Sequence, residues 1–318
     1  MRLDSCSDNA SICYTHDYSV MFEKLLDRPG FSFDRLLSFV LVANAGRIAL
    51  AAPNQPVRQS QMSRQITELE EYFGRTLMVP RGRTRVLTEA GLELAVLARE
   101  MFGGLAAFKE AETGADHFEL GAGDSLLRWW VIPRVHQALA DAPNVTLSLT
   151  SLSSADIISR LEDARLDFGI VPQSERPKNR ALQTEPVGSV EYAVFVSKAR
   201  MAKARARTVE QVLAKVPLAL QRSEPRFNES LAQLAKAGGS LVCETFPQAC
   251  CAVRSGEYVA LLPSLAEDEL PEKTFARLVP PGDSGGSVRM VLASRPRLKG
   301  QRPRAKALVE ALARALRR

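Results

Sequence analysis

The segment Arg58 to Phe73, RQSQMSRQITELEEYF, gathers side chains able to recognise base edges into its first ten residues. Arginine can set two N–H donors against O6 and N7 of guanine, and glutamine can match N6 and N7 of adenine. Arg58, Gln59, Ser60, Gln61, Ser63, Arg64 and Thr67 supply that chemistry. Met62, Ile66, Leu69 and Phe73 recur at spacings of four, three and four, which marks the buried side of a helix. Ser60, Arg64, Thr67 and Glu71 fall nearly opposite, with Gln61, Ser63 and Glu68 on the flanks. In helix-turn-helix docking the N-terminal part of the second helix meets the bases. Glu68, Glu70 and Glu71 would repel phosphate, but they stand a turn or more further on, where such a helix leaves the groove. An ordinary amphipathic helix with a solvated polar face has the same wheel, so the neighbours must decide.

Those neighbours are basic. Arg75, Arg81, Arg83 and Arg85 fall in residues 74–88, a stretch without a single acid, and Arg47 precedes the segment. Such residues suit phosphate contact and salt-dependent affinity. The net charge of +6 permits a polyanionic partner without demanding one. Nine basic residues and one acid, Glu310, lie between Arg295 and Arg318. They read either as further phosphate contacts or, more simply, as a solvated basic last helix.

Catalytic chemistry finds little support. His16, His117 and His136 are dispersed and lack metal-ligand spacing, and no Gly-x-Ser-x-Gly or P-loop pattern occurs. Gly121-Ala122-Gly123 lacks the third glycine of a dinucleotide fingerprint, and no acid follows at the ribose spacing. No metal and no cofactor is expected. The five cysteines form no Cys-x-x-Cys pair and suit a reducing cytoplasm. Cys243, Cys250 and Cys251 could sense redox state or be inert buried thiols. With no export signal and no apolar run of about 18 residues, a cytoplasmic protein without membrane partners is expected.

The elements that must position these residues follow from periodicity and turn signals. A chain of 318 residues should hold about two or three domains. Residues 1–32 are polar and irregular and read as a disordered extension or, up to Met21, a mis-assigned start; Cys6, Cys13 and His16 there could bind metal but more simply belong to a tail. A broad-faced helix begins at Asp34 and stops at Asn44-Ala45-Gly46. A short helix, Arg47 to Ala52, is cut off by Pro53, and Asn54 to Val57 connect it to the opening segment, which Gly74 ends. Leu77 to Thr88 reads as two short strands around a basic turn, a wing. Thr88 then starts a long helix to about Glu112, whose apolar stripe, including Leu92, Leu105 and Phe108, needs a partner. Beyond residue 117 strands and helices alternate, which predicts a parallel sheet covered by helices. Strands are expected at 118–122, 145–150, 167–172, 191–197, 216–220, 240–243, 258–262 and 287–294. Helices are expected at 125–140, 154–164, 208–214, 226–237, 247–255 and 301–316.

FDRLLSFVLVANAGRIALAA at 33–52, Val57, Gln59, SRQI at 63–66, Leu69-Glu70, Gly74, Leu77, Gly82-Arg83 and LTEAG at 87–91 together resemble the LysR-type transcriptional regulators. FELGAGDSL at 118–126, residues 143–171 and AVRSGEYVALLPS at 252–264 extend the resemblance more diffusely. Pro53, Pro56, Arg58, Ser60, Met78 and Pro80 depart from the family's commoner residues, and helix two should therefore end early. The resemblance implies an N-terminal winged helix-turn-helix at 33–92, a linker and dimerisation helix at 88–112, and an effector-binding domain at 117–318. That last domain would be two Rossmann-like α/β subdomains of periplasmic-binding-protein type with a cleft between them. Carried over residue by residue, the cleft candidates are Ser125, Leu126, Ser153, Ser154, Pro172, Gln173, Thr245 and Phe246. Asp124 and Ser125 are candidate caps of a helix whose amides face the cleft, and Asp124 would oppose an anionic ligand. Double-stranded promoter DNA, a small-molecule effector and a homodimer or homotetramer are the implied partners. A solute-binding protein or a small-molecule enzyme with an accessory helical domain is the alternative reading.

Overall fold

The computed structural model describes residues 29–82, 84–110, 116–175, 182–222, 239–280 and 286–317. The chain divides into two compact units at Phe102/Gly103. Expectations for residues 1–28, for Arg83 and for a helix at 226–237 lie outside the described residues.

In the first unit, α1 (Phe33–Ala45) starts where the Ser32 hydroxyl accepts the Arg35 amide at 3.2 Å. Phe31 packs on Tyr72 and Phe73, so residues 29–32 belong to the fold and not to a disordered extension. Helix α2 (Ile48–Ala51) ends early, ahead of Pro53 as expected. Helix α3 (Pro56–Phe73) starts two residues before the expected Arg58. Pro56 was expected in the connector, but at the first helical position its missing N–H costs nothing and its fixed φ is already helical. Gly46 and Gly74, at φ 69° and 63°, end α1 and α3 in the left-handed conformation. Met62, Ile66 and Leu69 of α3 bury against Phe39 and Val42 of α1 in one core. Each such side chain contributes about 1.5–3 kcal/mol.

The wing is β1 (Met78–Arg81) paired antiparallel with β2 (Thr84–Leu87), Met78 opposite Leu87. Glu70 fastens it to α3: its Oε1 accepts the amides of Leu77 at 2.8 Å and Met78 at 3.0 Å. The Thr88 hydroxyl accepts the Gly91 amide at 3.0 Å and so opens α4 (Glu89–Glu110).

The second unit holds two lobes. The first is a five-stranded sheet, β4-β3-β5-β12-β6, made of β3 (Asp116–Ala122), β4 (Val145–Ser151), β5 (Phe168–Pro172), β6 (Gln183–Val190) and β12 (Val288–Ser294). The expected parallel sheet is realised only in part. β3 runs parallel to β4 and β5, but β12 is antiparallel to both β5 and β6. The reason is chain path: β6 leads out to the second lobe, and β12 returns from it to rejoin the first sheet.

The expected helix at 125–140 is broken into α5 (Asp124–Leu126), a π-helical turn (Leu127–Val131) and α6 (Ile132–Asp141). The widened turn sits just before Pro133, which has no N–H to continue the ladder. It buries Trp130, whose Nε1 donates to the Leu316 carbonyl at 3.0 Å. Helix α7 (Ser154–Glu162) covers the same sheet. The second lobe carries β7 (Tyr192–Ser197), α8 (Lys198–Lys203), α9 (Val209–Lys215), β8 (Ala219–Gln221), β9 (Leu241–Cys243), α10 (Phe246–Arg254), β10 (Val259–Pro263) and β11 (Phe275–Leu278). Its strands form an antiparallel sheet β10-β7-β11 and a parallel pair β8-β9. Helices α11 (Leu298–Gln301) and α12 (Pro303–Leu316) close the chain.

Candidate DNA-reading face and ligand cleft

Helix α3 has no acid in its first turn and no side chain capping its amides, so its positive end is open to an anion. Arg58, Ser60, Gln61, Arg64 and Thr67 are exposed on its front half, and Ser63 is half-buried. Thr67 donates its hydroxyl back to the Ser63 carbonyl at 3.2 Å. Gln59 departs from the expected reading role, because its Nε2 donates to the Ala52 carbonyl at 2.8 Å and ties α3 to the end of α2. Gln65 is spent similarly, accepting from the Ser38 hydroxyl at 2.6 Å.

Glu68, expected where the helix would leave a groove, bridges two arginines. Its two oxygens take Arg35 Nε at 2.6 Å and Arg64 Nε at 2.7 Å. The Arg35 guanidinium first, and then that of Arg64, hold this carboxyl below its ordinary range. The Arg64 side chain stays 82% exposed while one edge is held, which restricts where its fork points. Arg47 and Arg81 are exposed as expected. Arg85 is not a fully open phosphate contact: it is half-buried, and its Nη1 is buried without a hydrogen-bond partner among the described residues. Exposed Leu50 and Val57 flank this face, and polar-residue reasoning passed them over.

The second unit contains a cleft of about 720 Å³ between its lobes. Ser125, Leu126, Ser153, Ser154, Pro172, Thr245 and Phe246 line it, whereas Gln173 does not. Gln173 begins a tight turn, Gln173–Glu175, that presents Glu175 to the cleft instead. Asp124 and Ser125 are not caps, since Gly123 holds the cap position of α5 without any side-chain bond. Ser153 caps α7, accepting the Asp156 amide at 3.1 Å and donating to Asp156 Oδ2 at 2.7 Å. Thr245 caps α10 through the Gln248 amide, and Gln248 Oε1 accepts the Glu244 amide at 2.8 Å in return. Asp124 lines the cleft, where it is expected to oppose an anionic ligand, and Glu175, Tyr192, Gln221, Glu244 and Met290 line it beyond the expected residues. They come from strand ends and turns far apart in sequence.

The remaining candidates have structural occupations. Burial pushes the Cys250 thiol up to about 12 and raises that of Cys243, against the thiolate a sensor needs; Cys251 is exposed. No group of three or more metal-ligating side chains occurs among the described residues. In the basic C-terminal stretch Lys306, Arg314 and Arg317 are exposed, as a solvated last helix requires, while three residues are tied to other elements. Arg302 binds Asp167 and the His117 carbonyl, lying 3.8 Å from the Phe118 ring centroid. Arg304 pairs with Asp116 at 3.4 Å, and Arg314 with Asp141 at 2.9 Å.

Known proteins share these parts. Residues 33–92 match the family described as bacterial regulatory helix-turn-helix protein, lysR family, and residues 111–317 match the LysR substrate binding domain. The chain is similar to the HTH-type transcriptional regulator TrpI of Pseudomonas aeruginosa, 32% identical over 123 residues, 38% of this chain and 42% of that one. It is also similar to the SDS degradation transcriptional activation protein of a Pseudomonas species, 26% identical over 240 residues, 72% of this chain and 78% of that one. The match to TrpI, like the match to the transcriptional activator IlvY of Salmonella typhimurium, spans less than half of the relative's length. Among solved structures, full-length LysG of Corynebacterium glutamicum with bound effector Arg superposes with a TM-score of 0.62 at 19% identity, over 91% of this chain and 100% of that one. Full-length CbnR complexed with its target DNA gives 0.54 at 20% identity, over 90% and 100%. At these identities the likeness is one of fold.

Proposed function

The chain belongs to the LysR family of transcriptional regulators, and from that premise we propose that it binds double-stranded promoter DNA and changes transcription in response to a small-molecule effector. The observation that carries the DNA reading is the front of α3: an uncapped, acid-free helix start with Arg58, Ser60, Gln61 and Arg64 exposed beside it. Arg47, Arg81 and Arg85 supply phosphate contacts around it, Arg85 the least of them because it is half-buried, and Arg83, in the same acid-free stretch of sequence, is proposed to join them. The family is one of regulators and not of enzymes, and the cleft is proposed to hold an effector and to turn nothing over. Its proposed effector contacts are Ser125, Leu126, Ser153, Ser154, Pro172, Thr245 and Phe246.

The proposed division is a winged helix-turn-helix at 33–92, a linker helix at 88–112 and an effector domain at 117–318. Helix α4 leaves Leu92, Leu97, Leu105 and Phe108 between 41% and 82% exposed. A second copy of the chain would cover them, making a homodimer or homotetramer that sets two α3 helices on half-sites of an inverted repeat. Effector in the cleft would alter the arrangement of subunits and so the spacing of those helices. The proposed location is the cytoplasm, where promoter DNA is reached; among the described residues no helix is long and apolar enough to cross a membrane.

The test is fluorescence anisotropy with DNA from upstream of the protein's own gene and a shuffled control. Preferential binding of the upstream fragment, weakening steeply with salt, is expected. Equal affinity for both fragments at every salt concentration would contradict base reading.

A further inference from the structure

Glu68 joins the proposed reading helix to its neighbour through one carboxylate. Its Oε2 accepts from Arg35 Nε of α1 at 2.6 Å, and its Oε1 accepts from Arg64 Nε of α3 at 2.7 Å. Arg35 is itself fixed at the start of α1, where its amide and its Nη1 both donate to the Ser32 hydroxyl oxygen, at 3.2 and 3.4 Å. The Arg35 and Glu68 side chains are 29% and 23% exposed, and that of Arg64 is 82% exposed. A lone ion pair four residues apart on a helix surface is weak and lets a long side chain swing. This carboxylate cannot follow such a swing, because a second helix holds its other oxygen. Arg64 is therefore gripped at Nε by an anchored group, and its two terminal nitrogens are left without a partner among the described residues.

We propose that Glu68, anchored by Arg35, is a positioning residue for base specificity: it presents the Arg64 guanidinium so that the two terminal nitrogens, and not Nε, meet O6 and N7 of one guanine. This rests on reading the front of α3 as the base-reading face. A guanidinium can offer such an edge either both terminal nitrogens or a pair that includes Nε. Glu68 occupies the Nε–H and so withdraws the second choice. An arginine held before DNA arrives loses less rotational freedom on binding. Held in one direction, it is also penalised at a base whose acceptors lie elsewhere, and that difference is specificity. The acid costs little toward phosphate, because two positive charges stand against its one negative charge.

Selection of preferred sites from randomised duplex DNA by the full chain tests the assignment. Wild type should prefer guanine at a position that Arg64→Ala flattens. Glu68→Ala should lower the preference at that same position by about threefold or more and leave the other positions as they are. Its affinity for a shuffled duplex should stay level or rise, since an acid near phosphate is gone. Arg35→Ala should act in the same direction, because the carboxylate is then free to follow Arg64. In an Arg64→Ala background, Glu68→Ala should change base preference no further, a result that a merely structural loss would not give. Glu68→Gln, of the same shape, should shift the preference the same way and stands in should Glu68→Ala lack a cooperative unfolding transition. A guanine preference that survives both Glu68 variants, or that falls equally at every position, overturns the positioning role alone. If Arg64→Ala flattens no position, the base reading beneath it fails and the positioning role fails with it.

Discussion

The exposed front face of α3, proposed to read bases, and the wall of the cleft are built in opposite ways. Sixteen consecutive residues carry the first: one stripe, Met62, Ile66 and Leu69, is buried, and the front of the other face is exposed. The second is assembled from eight or so separate pieces of chain, from Gly123 to Met290, each contributing a strand end or a helix start. A helix fixes its faces through local geometry, so spacing alone tells which side chain points where. A cleft is fixed by topology, and no spacing reveals that Asp124 and Glu244, 120 positions apart, share a wall.

That contrast can be broken by substitution. The largest effect is expected from Ile66→Ala, since Ile66 is fully buried: it should cost about 2–5 kcal/mol of stability and take DNA binding with it, as chemical denaturation and anisotropy would show. An outward-facing substitution that destabilised as much would erase the distinction between the faces. Thr245→Ala, which removes the α10 cap, should cost about 1 kcal/mol and leave DNA affinity unchanged in the absence of ligand. A change below the error of denaturation would mean that the capping interaction contributes nothing there.

Titration sharpens the comparison further. Cys250, raised from 9.0 to about 12, favours the folded state while it stays protonated. Its contribution is complete below pH 9 and is lost as pH rises toward 12. A thiol reagent at pH 8 should therefore label exposed Cys251 quickly and Cys250 only through unfolding, read by peptide mass spectrometry. Rapid Cys250 labelling would restore it as a redox candidate. Glu68 has the opposite sign: its carboxyl is held low, so its bridge is present at neutral pH and is lost as pH falls below the ordinary carboxylate range. Its NMR titration should move up toward the ordinary value in Arg35→Ala. An unmoved midpoint would mean the bridge is not formed in solution.

How much was legible in the sequence follows the same line. The tri-helical unit, the wing and the strands β3 to β5 were expected close to where they lie, because periodicity and turn residues mark them. β6 was not, since Pro186 and Gly188 interrupt its pattern; both are tolerated because β6 is an edge strand. Four-residue β11 is too short to show a period. Gln59, Gln65 and Glu70 look like surface residues on a wheel, yet each spends its side chain on a neighbouring element. In the cleft, the family resemblance marks the helix starts and Asp124 but not Glu175 or Glu244, and it points to Gln173 where the same turn presents Glu175.

The central claim is that the front of α3 reads bases while its surroundings hold phosphate. Its most direct test compares wild type with Arg64→Ala on the preferred upstream fragment and on a shuffled one across a salt series. Losing a two-pronged base contact should cost about 1–3 kcal/mol on the preferred fragment, with little change on the shuffled one and salt slopes that stay parallel. An equal loss on both fragments, with a shallower slope, would make Arg64 a phosphate contact and contradict the account.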